Sequence, residues 1–426
     1  MHIDYTKLPN YKILCVDLKS FYASIEAVEM GLDPLHDMVA VVGDITRRGG
    51  VVLAASPALK ERYQIQTGSR LYQIPPDHRI HIAKARMGLY LEKSMQVTHI
   101  YHRFAPLEAI QIYSIDEAWI NVTGAENLFG QNGIPATARD IAMMIKRAIY
   151  KELGLLAAVG IGPNKFLSKV VLDNYAKQTG LASIHYSHIK KYLWPLPVQQ
   201  IWGVGRRMQL HLNRMAIFTL GDIAKAPLRI LSKRFGMIGE QLHYHAWGID
   251  HSPVIVDPFT EARKGFSHGI TLMRDYRHEE AAVVIYELTD MLARKLRQVH
   301  AAAFTISLSL RFSRRNDVPS FRKSTSLYSA TNLSKPLYLA CMELLLQDQT
   351  HAPIRHIHVG VSNMVHQDAI QVDLFDGIHH NKLYRLGQTT DQIIDEYGRR
   401  AIMRAVSLTQ AGTWMDRSFK LGGHDE

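Results

Sequence analysis

The N-terminal third alternates apolar blocks with punctuated polar stretches. Residues 12–18, KILCVDL, form an apolar, β-rich run broken only by Asp17. Such a run reads as a buried strand whose end carries a carboxylate. Ser20 can cap a helix in which Phe21, Ile25 and Val28 recur at helical spacing before Gly31 stops it. A strand is expected at 38–42 (MVAVV), then a turn over 44–50 carrying Arg47 and Arg48, and a hairpin partner at 51–55 (VVLAA). Ser56-Pro57 starts a helix reaching Tyr63, with proline at its first position. Residues 110–122, IQIYSIDEAWINV, are two β-rich halves flanking Asp116-Glu117, a hairpin with its acids near the bend.

Further on, apolar residues at 141, 145, 148, 149 and 153 predict a helix over 137–153, followed by a buried strand at 156–161. Gly162-Pro163-Asn164 then opens a helix with Lys165 and Lys169 in its first two turns. From about 185 the pattern changes to short helices. IWGVG at 201–205 is a glycine hairpin between two of them. The block 262–370 reads as strand (266–273), helix (278–299), strands (303–312 and 322–328), helix (334–347) and strand (354–361). The last expected element is a helix over about 384–406. No internal repeat or low-complexity tract interrupts the order.

The 426 residues are 47% hydrophobic and 21% charged, enough for cores in two to four domains. A formal charge of +11 suits a polyanionic partner, although a basic solvated surface gives the same number. The two cysteines, Cys15 and Cys341, lie among apolar neighbours and read as buried thiols of a reducing compartment. The opening MHIDYTKLPN lacks a secretory core, and no window approaches eighteen apolar residues, so a cytoplasmic, non-membrane protein is expected. The histidine pairs 99/102, 243/245 and 356/358 have no Cys or Glu in zinc spacing and read as structural or surface groups.

Three acids carry the candidate chemistry. Asp17, Asp116 and Glu117 are about a hundred residues apart and meet only if the fold brings two strand ends together. Gathered carboxylates repel unless cations bind, and hard Mg²⁺ suits oxygen ligands. Two such ions roughly 3.5–4 Å apart serve in-line phosphoryl transfer. Taken alone, the acids read more readily as solvated turn residues.

Their context resembles a known family. The segment 16–26, VDLKSFYASIE, resembles the first motif of the Y-family (UmuC/DinB-type) translesion DNA polymerases. SIDEA at 114–118 is similar to their second acidic motif, and VGIGPNK at 159–165 with Ser168-Lys169 to the next. WGVG at 202–205 followed by Leu210 to Ile217 resembles their helix-hairpin-helix thumb. The resemblance runs from about residue 10 to 375 and is nearest a UvrX-like branch on the UmuC side.

The resemblance implies an α/β multidomain, right-hand polymerase. Its palm would span 1–35 and 91–184 and small fingers 36–90. A helical thumb would follow at 185–255, a linker at 256–262, an α+β little finger at 263–368 and a tail at 369–426. It implies error-prone, template-directed synthesis in DNA repair and the SOS response, with two Mg²⁺ held by Asp17, Asp116, Glu117 and the Leu18 carbonyl. Tyr22 would be the steric gate against a ribose hydroxyl. Lys165 would contact the triphosphate from the first turn of its helix. Where the family sets a Tyr and an Arg three residues apart in the fingers, this chain reads SPALKER at 56–62, leaving Lys60, then Arg62, as candidate cations.

DNA contact is expected at Gly203, Gly205 and Arg206, and at a basic cluster of Arg311, Arg314, Arg315, Arg322 and Lys323. QVDLF at 371–375 resembles the peptide that binds the bacterial sliding clamp, with Gln371, Leu374 and Phe375 as anchors. Primer-template DNA, deoxynucleoside triphosphates and the clamp are the implied partners of a monomer near the nucleoid, and the tail could engage other mutagenesis proteins. The rival reading, a catalytically silent clamp-tethered scaffold, leaves the three intact acids without a purpose. A nucleotide cyclase with a similar palm leaves the thumb hairpin, the basic block and the clamp peptide unexplained.

Overall fold

A computed structural model describes residues 3–130, 132–254, 264–313, 318–371, 377–421 and 424–425. The expected linker at 256–262, Arg314, Arg315, Leu374 and Phe375 lie outside the described residues. The chain divides into two units, 1–260 (with 424–426) and 261–423.

The first unit is built on a five-stranded sheet. Its strands are β1 (Ile13–Leu18), β5 (Ile110–Ile112), β6 (Glu117–Asn121), β7 (Ala157–Gly162) and β8 (Leu181–Ser183), in the order β5-β6-β1-β7-β8. β1 is central and antiparallel to both β6 and β7. That position explains its unbroken apolar run, since Ile13, Leu14, Cys15 and Val16 are all buried. The helices α1 (Phe21–Glu29), α3 (Met87–Tyr101), α4 (Ala138–Leu153) and α5 (Lys165–Val171) belong to the same unit. α4 starts at the predicted place, where Thr137 and Asp140 form a capping box.

The short β8 and two longer elements of this unit escaped the sequence pattern. Of the longer two, α3 is one. The other is β4 (Ile80–Lys84), which pairs parallel with β2 (Met38–Val42) in the small sheet β3-β2-β4, β3 being Val52–Ala55. Both are only partly apolar, so neither period stood out. α2 (Pro57–Tyr63) packs on this sheet and buries Leu59.

Ser20 departs from the expected cap. It adopts a left-handed conformation (φ 47°), and its hydroxyl makes no capping bond; it accepts from Lys60 Nζ at 2.8 Å. α5 is followed directly by a π-helical turn, Leu172–Ala176, and by α6 (Lys177–Thr179). Gly160 permits this packing. A Cβ there would lie 2.2 Å from the Ser168 carbonyl oxygen and 2.5 Å from the Leu172 nitrogen.

The helices α7 (Arg206–Arg214), α8 (Leu220–Lys225), α9 (Leu228–Phe235) and α10 (Met237–Ala246) complete the unit around a core that includes Leu212, Leu220, Ile223, Leu231 and Leu242. Gly203, at φ 93°, makes the hairpin turn before α7.

The second unit is a four-stranded antiparallel sheet, β9 (Gly265–Tyr276), β10 (Ala301–Phe312), β11 (Phe321–Thr331) and β12 (Ile354–His366), in the order β11-β10-β12-β9. α11 (His278–Gln298) and α12 (Ser334–Leu345) share its apolar core. The final long helix, α13, spans Gly377–Tyr397, not 384–406. It ends where Gly398 turns left-handed (φ 86°) and bonds back to the Ile394 carbonyl.

α13 and the chain after it run along one stripe of α11. Glu287, Asp290, Arg294 and Arg297 recur at helical spacing. Arg297 holds Asp391 (2.7 and 3.0 Å), Arg294 holds Asp395 (2.5 Å), and Asp290 pairs with Arg404. Buried Glu287 accepts from Thr413, Trp414 and Arg417.

Candidate active site

Strand register brings the predicted acids together. Asp17 at the end of β1 is the direct cross-strand partner of Glu117 at the start of β6. The Leu18 N–H donates to the Asp116 carbonyl at 2.9 Å, fixing Asp116 beside them. The Asp116 carboxylate accepts from Ser114 Oγ at 2.6 Å. Burial, opposed by Lys177 and assisted by the charges of Asp116 and Glu117, raises the Asp17 carboxyl above its ordinary value of 3.8.

Positive charge surrounds these acids. Lys169 Nζ lies 2.7 and 2.8 Å from the two Glu117 oxygens. Cys15 donates its thiol to Glu117 at 3.3 Å; burial, then the Glu117 charge, pushes that thiol well up and keeps it protonated. Lys177 Nζ lies 3.1 Å from Asp17 and 2.9 Å from Asp173, which also accepts from Lys169 at 3.1 Å. Burial opposes the charge on Lys177, but Asp17 and Asp173 hold its pKa above the ordinary value.

Lys60 belongs to this group as well. Burial lowers its pKa, Asp17 opposes that, and Lys177 and Lys19 add to it. Arg62, two residues on, does not. It sits over the Tyr63 ring at 5.6 Å and lines a cavity with His36, His78, Arg79 and His81. The α2 periodicity puts 60 and 62 about 200° apart, so only one can face Asp17.

Lys165 also departs from expectation. It is buried, its ammonium lies 5.1 Å from the Trp119 ring centroid, and it donates to the Pro253 carbonyl at 3.2 Å. It ties α5 to the segment after α10. Asn164 reinforces this, accepting from Leu167 N–H and donating to the Gly248 carbonyl. Lys177, which the sequence reading did not single out, is the lysine that meets Asp17. The sequence signal for it was the spacing Lys169-x3-Asp173-x3-Lys177, one ion-pair step per helical turn.

Tyr22 follows β1 on α1, half-buried. Its ring stacks on Tyr90 at 4.3 Å and 15°. Burial, then the charge of Asp116, raises its phenol pKa. Tyr90 donates to buried Glu26 at 2.6 Å, and Arg86 grips the same carboxylate at 2.6 and 3.0 Å. Phe21 is buried, as a core aromatic.

Among the described residues no three carboxylate, imidazole or thiol side chains already converge on one point, because Asp116 turns to Ser114 and Glu117 to Lys169. The donor set nevertheless fits Mg²⁺. It is all hard oxygen, and two ammonium groups already answer its demand for positive charge.

In the second unit the basic cluster divides. Arg322 opposes Ser309, and Arg311 opposes His356, so both arginines stand on the sheet face away from the helices. That face also carries Ser307, Ser324, His358 and Thr271, and its paired positions hold no carboxylate. Lys323 opposes buried Leu308, on the other face, and donates to Gln347 at 2.9 Å.

Residues 16–173 match the model of the impB/mucB/samB family, and residues 263–374 that of the impB/mucB/samB family C-terminal domain. The chain belongs to this family, the Y-family of DNA polymerases. It is 40% identical over 426 residues to Bacillus subtilis UvrX, named for UV-damage repair, covering 99% of each chain. It is 38% identical over 419 residues to DNA polymerase IV 2 of Bacillus subtilis, covering 97% of this chain and 98% of that one. With DNA polymerase IV of Moorella thermoacetica it shares 36% over 420 residues (94% and 97%). A solved Y-family DNA polymerase chimera has the same fold, with a TM-score of 0.64 at 21% identity, covering 83% of this chain and 99% of that one.

The mixed sheets and helices and the C-terminal sheet unit are those of a Y-family fold, consistent with a palm and a little finger.

Proposed function

We propose that the chain extends a primer 3′-hydroxyl on a DNA template with deoxynucleoside triphosphates, releasing pyrophosphate, and that it copies damaged templates. The observation that carries this is the cross-strand pairing of Asp17 with Glu117, Asp116 alongside, beneath Tyr22 and facing Lys60 and Lys177. The family supports the activity, since its relatives include polymerases IV and a UV-damage repair protein.

Asp17, Asp116, Glu117 and the Leu18 carbonyl would hold two Mg²⁺. When bound, these ions supply activation of the primer hydroxyl and charge neutralisation at the leaving group. The protein's own part is positioning. Lys60 and Lys177 receive the triphosphate. Tyr22, backed by the Tyr90 ring, closes the space beside the sugar C2′. The hairpin at Gly203, Gly205 and Arg206 meets phosphates of the duplex. The sheet face with Arg311 and Arg322, whose paired positions hold no carboxylate, tracks the backbone without reading sequence. Burial, with the neighbouring Arg311 and His358, lowers the His356 pKa; that suits a face already rich in positive charge.

Residues 371–375 recruit the sliding clamp in this reading. Three acids kept in register, each engaged by a hydrogen bond or an ion pair, disfavour a silent scaffold.

Primer extension with Mg²⁺, on undamaged templates and on templates with an abasic site or a UV photoproduct, tests this. Asp116→Ala should lower extension at least 100-fold with DNA binding retained. Extension at the wild-type rate would remove Asp116 from the site.

A further inference from the structure

Glu117, Lys169, Asp173, Lys177 and Asp17 form an unbroken line of alternating charge. The links are 2.7, 3.1, 2.9 and 3.1 Å long. Its two ends are themselves cross-strand neighbours, so the line closes into a ring. Asp173 is the middle member, and the acids it connects already belong to the proposed metal site. Asp173 is not one of them.

The backbone explains why one helix can carry three members of the ring. Four residues of α-helix overshoot a full turn by roughly 40°, so residues 169, 173 and 177 would drift by about 80° along a regular helix. The π turn at Leu172–Ala176 intervenes. Its i→i+5 closure takes more residues per turn, so it rotates the next step backwards. The two drifts oppose each other. Lys169, Asp173 and Lys177 stay on one line facing the acids, and Gly160 lets that line approach β7.

Resting on the polymerase reading above, we propose that Asp173 is a positioning residue: a second anchor for Lys169 and Lys177 that keeps both ammonium groups in place when divalent cations claim Asp17 and Glu117. With Asp173 absent, the only carboxylate left to Lys177 among the described residues is Asp17, and the only one left to Lys169 is Glu117. Each lysine then competes with the metal for its ligand. With Asp173 present, Lys177 can leave Asp17, remain tethered, and turn to the triphosphate. The exposure gradient fits that order. Lys169 and Glu117 are 7% and 8% exposed and form the fixed end, while Lys177 is 43% exposed and can swing.

Asp173→Asn keeps the shape of the side chain and removes its charge, and Asp173→Glu restores the charge. The test uses the full chain with primer-template DNA. Mn²⁺ affinity is read by electron paramagnetic resonance on a complex with a dideoxy-terminated primer, where no turnover occurs. Steady-state extension gives KM and kcat for the nucleotide. Asp173→Asn should weaken Mn²⁺ binding about tenfold and raise the nucleotide KM about tenfold, with kcat within threefold and the melting temperature unchanged. Asp173→Glu should recover most of both losses. Mn²⁺ affinity and KM both within twofold of wild type in Asp173→Asn would overturn the anchor. So would a fall in kcat alone, or equal losses in Asp173→Glu. Absence of extension by the wild-type chain would instead count against the polymerase reading, and the Mn²⁺ measurement would still decide on Asp173.

Discussion

Asp17 and Glu117 face each other across β1 and β6, the one next to the end of its strand and the other at the start of its own. Two carboxylates at cross-strand distance are unfavourable neighbours, and each is met by its own lysine, Lys177 and Lys169. The sheet therefore stores repulsion at the point where cations would be used. Asp17 is the strained member, because its carboxyl pKa is raised, mainly by burial. A raised acid destabilises the folded chain at any pH above both its values. Asp17→Asn should therefore raise stability at pH 7 while abolishing extension. Urea midpoints read beside extension rates check both halves, and a loss of stability would contradict the stored-repulsion account.

Tyr22 should discriminate sugars by size alone. Its ring is held from behind by Tyr90, which Glu26 and Arg86 fix in turn. Tyr22→Ala should raise ribonucleotide incorporation at least 100-fold relative to deoxynucleotides, with deoxynucleotide extension far less affected. Competition assays with matched ribo- and deoxynucleotides measure the ratio. An unchanged ratio would remove Tyr22 from the gate.

Lys165 and Lys177, on the α5–α6 segment, should separate cleanly. Lys177→Ala should raise the nucleotide KM about tenfold or more, since its ammonium lies against Asp17. Lys165→Met should leave KM within about twofold and lower the unfolding midpoint, because its ammonium serves Trp119 and the Pro253 carbonyl. The reverse pattern would return the triphosphate to Lys165.

Acid should unlock the junction of α5 with the segment after α10. Asp250 accepts from Phe166 N–H at 3.0 Å and from Ser252 at 2.6 Å, beside His245. Burial works against its charge, but nearby His245 and hydrogen bonds from Ser252 hold its pKa down at about 2, against an ordinary 3.8. A depressed acid gives stability that is present above its unfolded value and lost as pH falls through its folded one. Between pH 4 and 2 the wild type should lose about 2 kcal/mol that Asp250→Asn never has. Parallel acid titrations of the two proteins, followed by tryptophan fluorescence, test this.

The sequence by itself determined most of the elements and the acids. An apolar run buried on both faces announces β1, and strand ends are where polar residues leave such a sheet, so Asp17 and Asp116-Glu117 were legible as candidates. The ordered motifs gave the family. The helix limits at α4 and α5 followed from Thr137 and Asn164, whose side chains cap locally.

Only the tertiary structure decided which cations meet those acids. Lys165 and Lys177 sit on one continuous helical segment, and their facing depends on the π turn between them, which no apolar period records. Lys60 and Arg62 are two residues apart, and the packing of α2 on the small sheet turns one to Asp17 and the other away. Lys323 and Arg322 are adjacent in sequence and opposite in space, because neighbouring strand residues point to opposite faces. Charge along a chain is a one-dimensional fact. The site depends on direction, and direction is fixed by register, helical phase and burial.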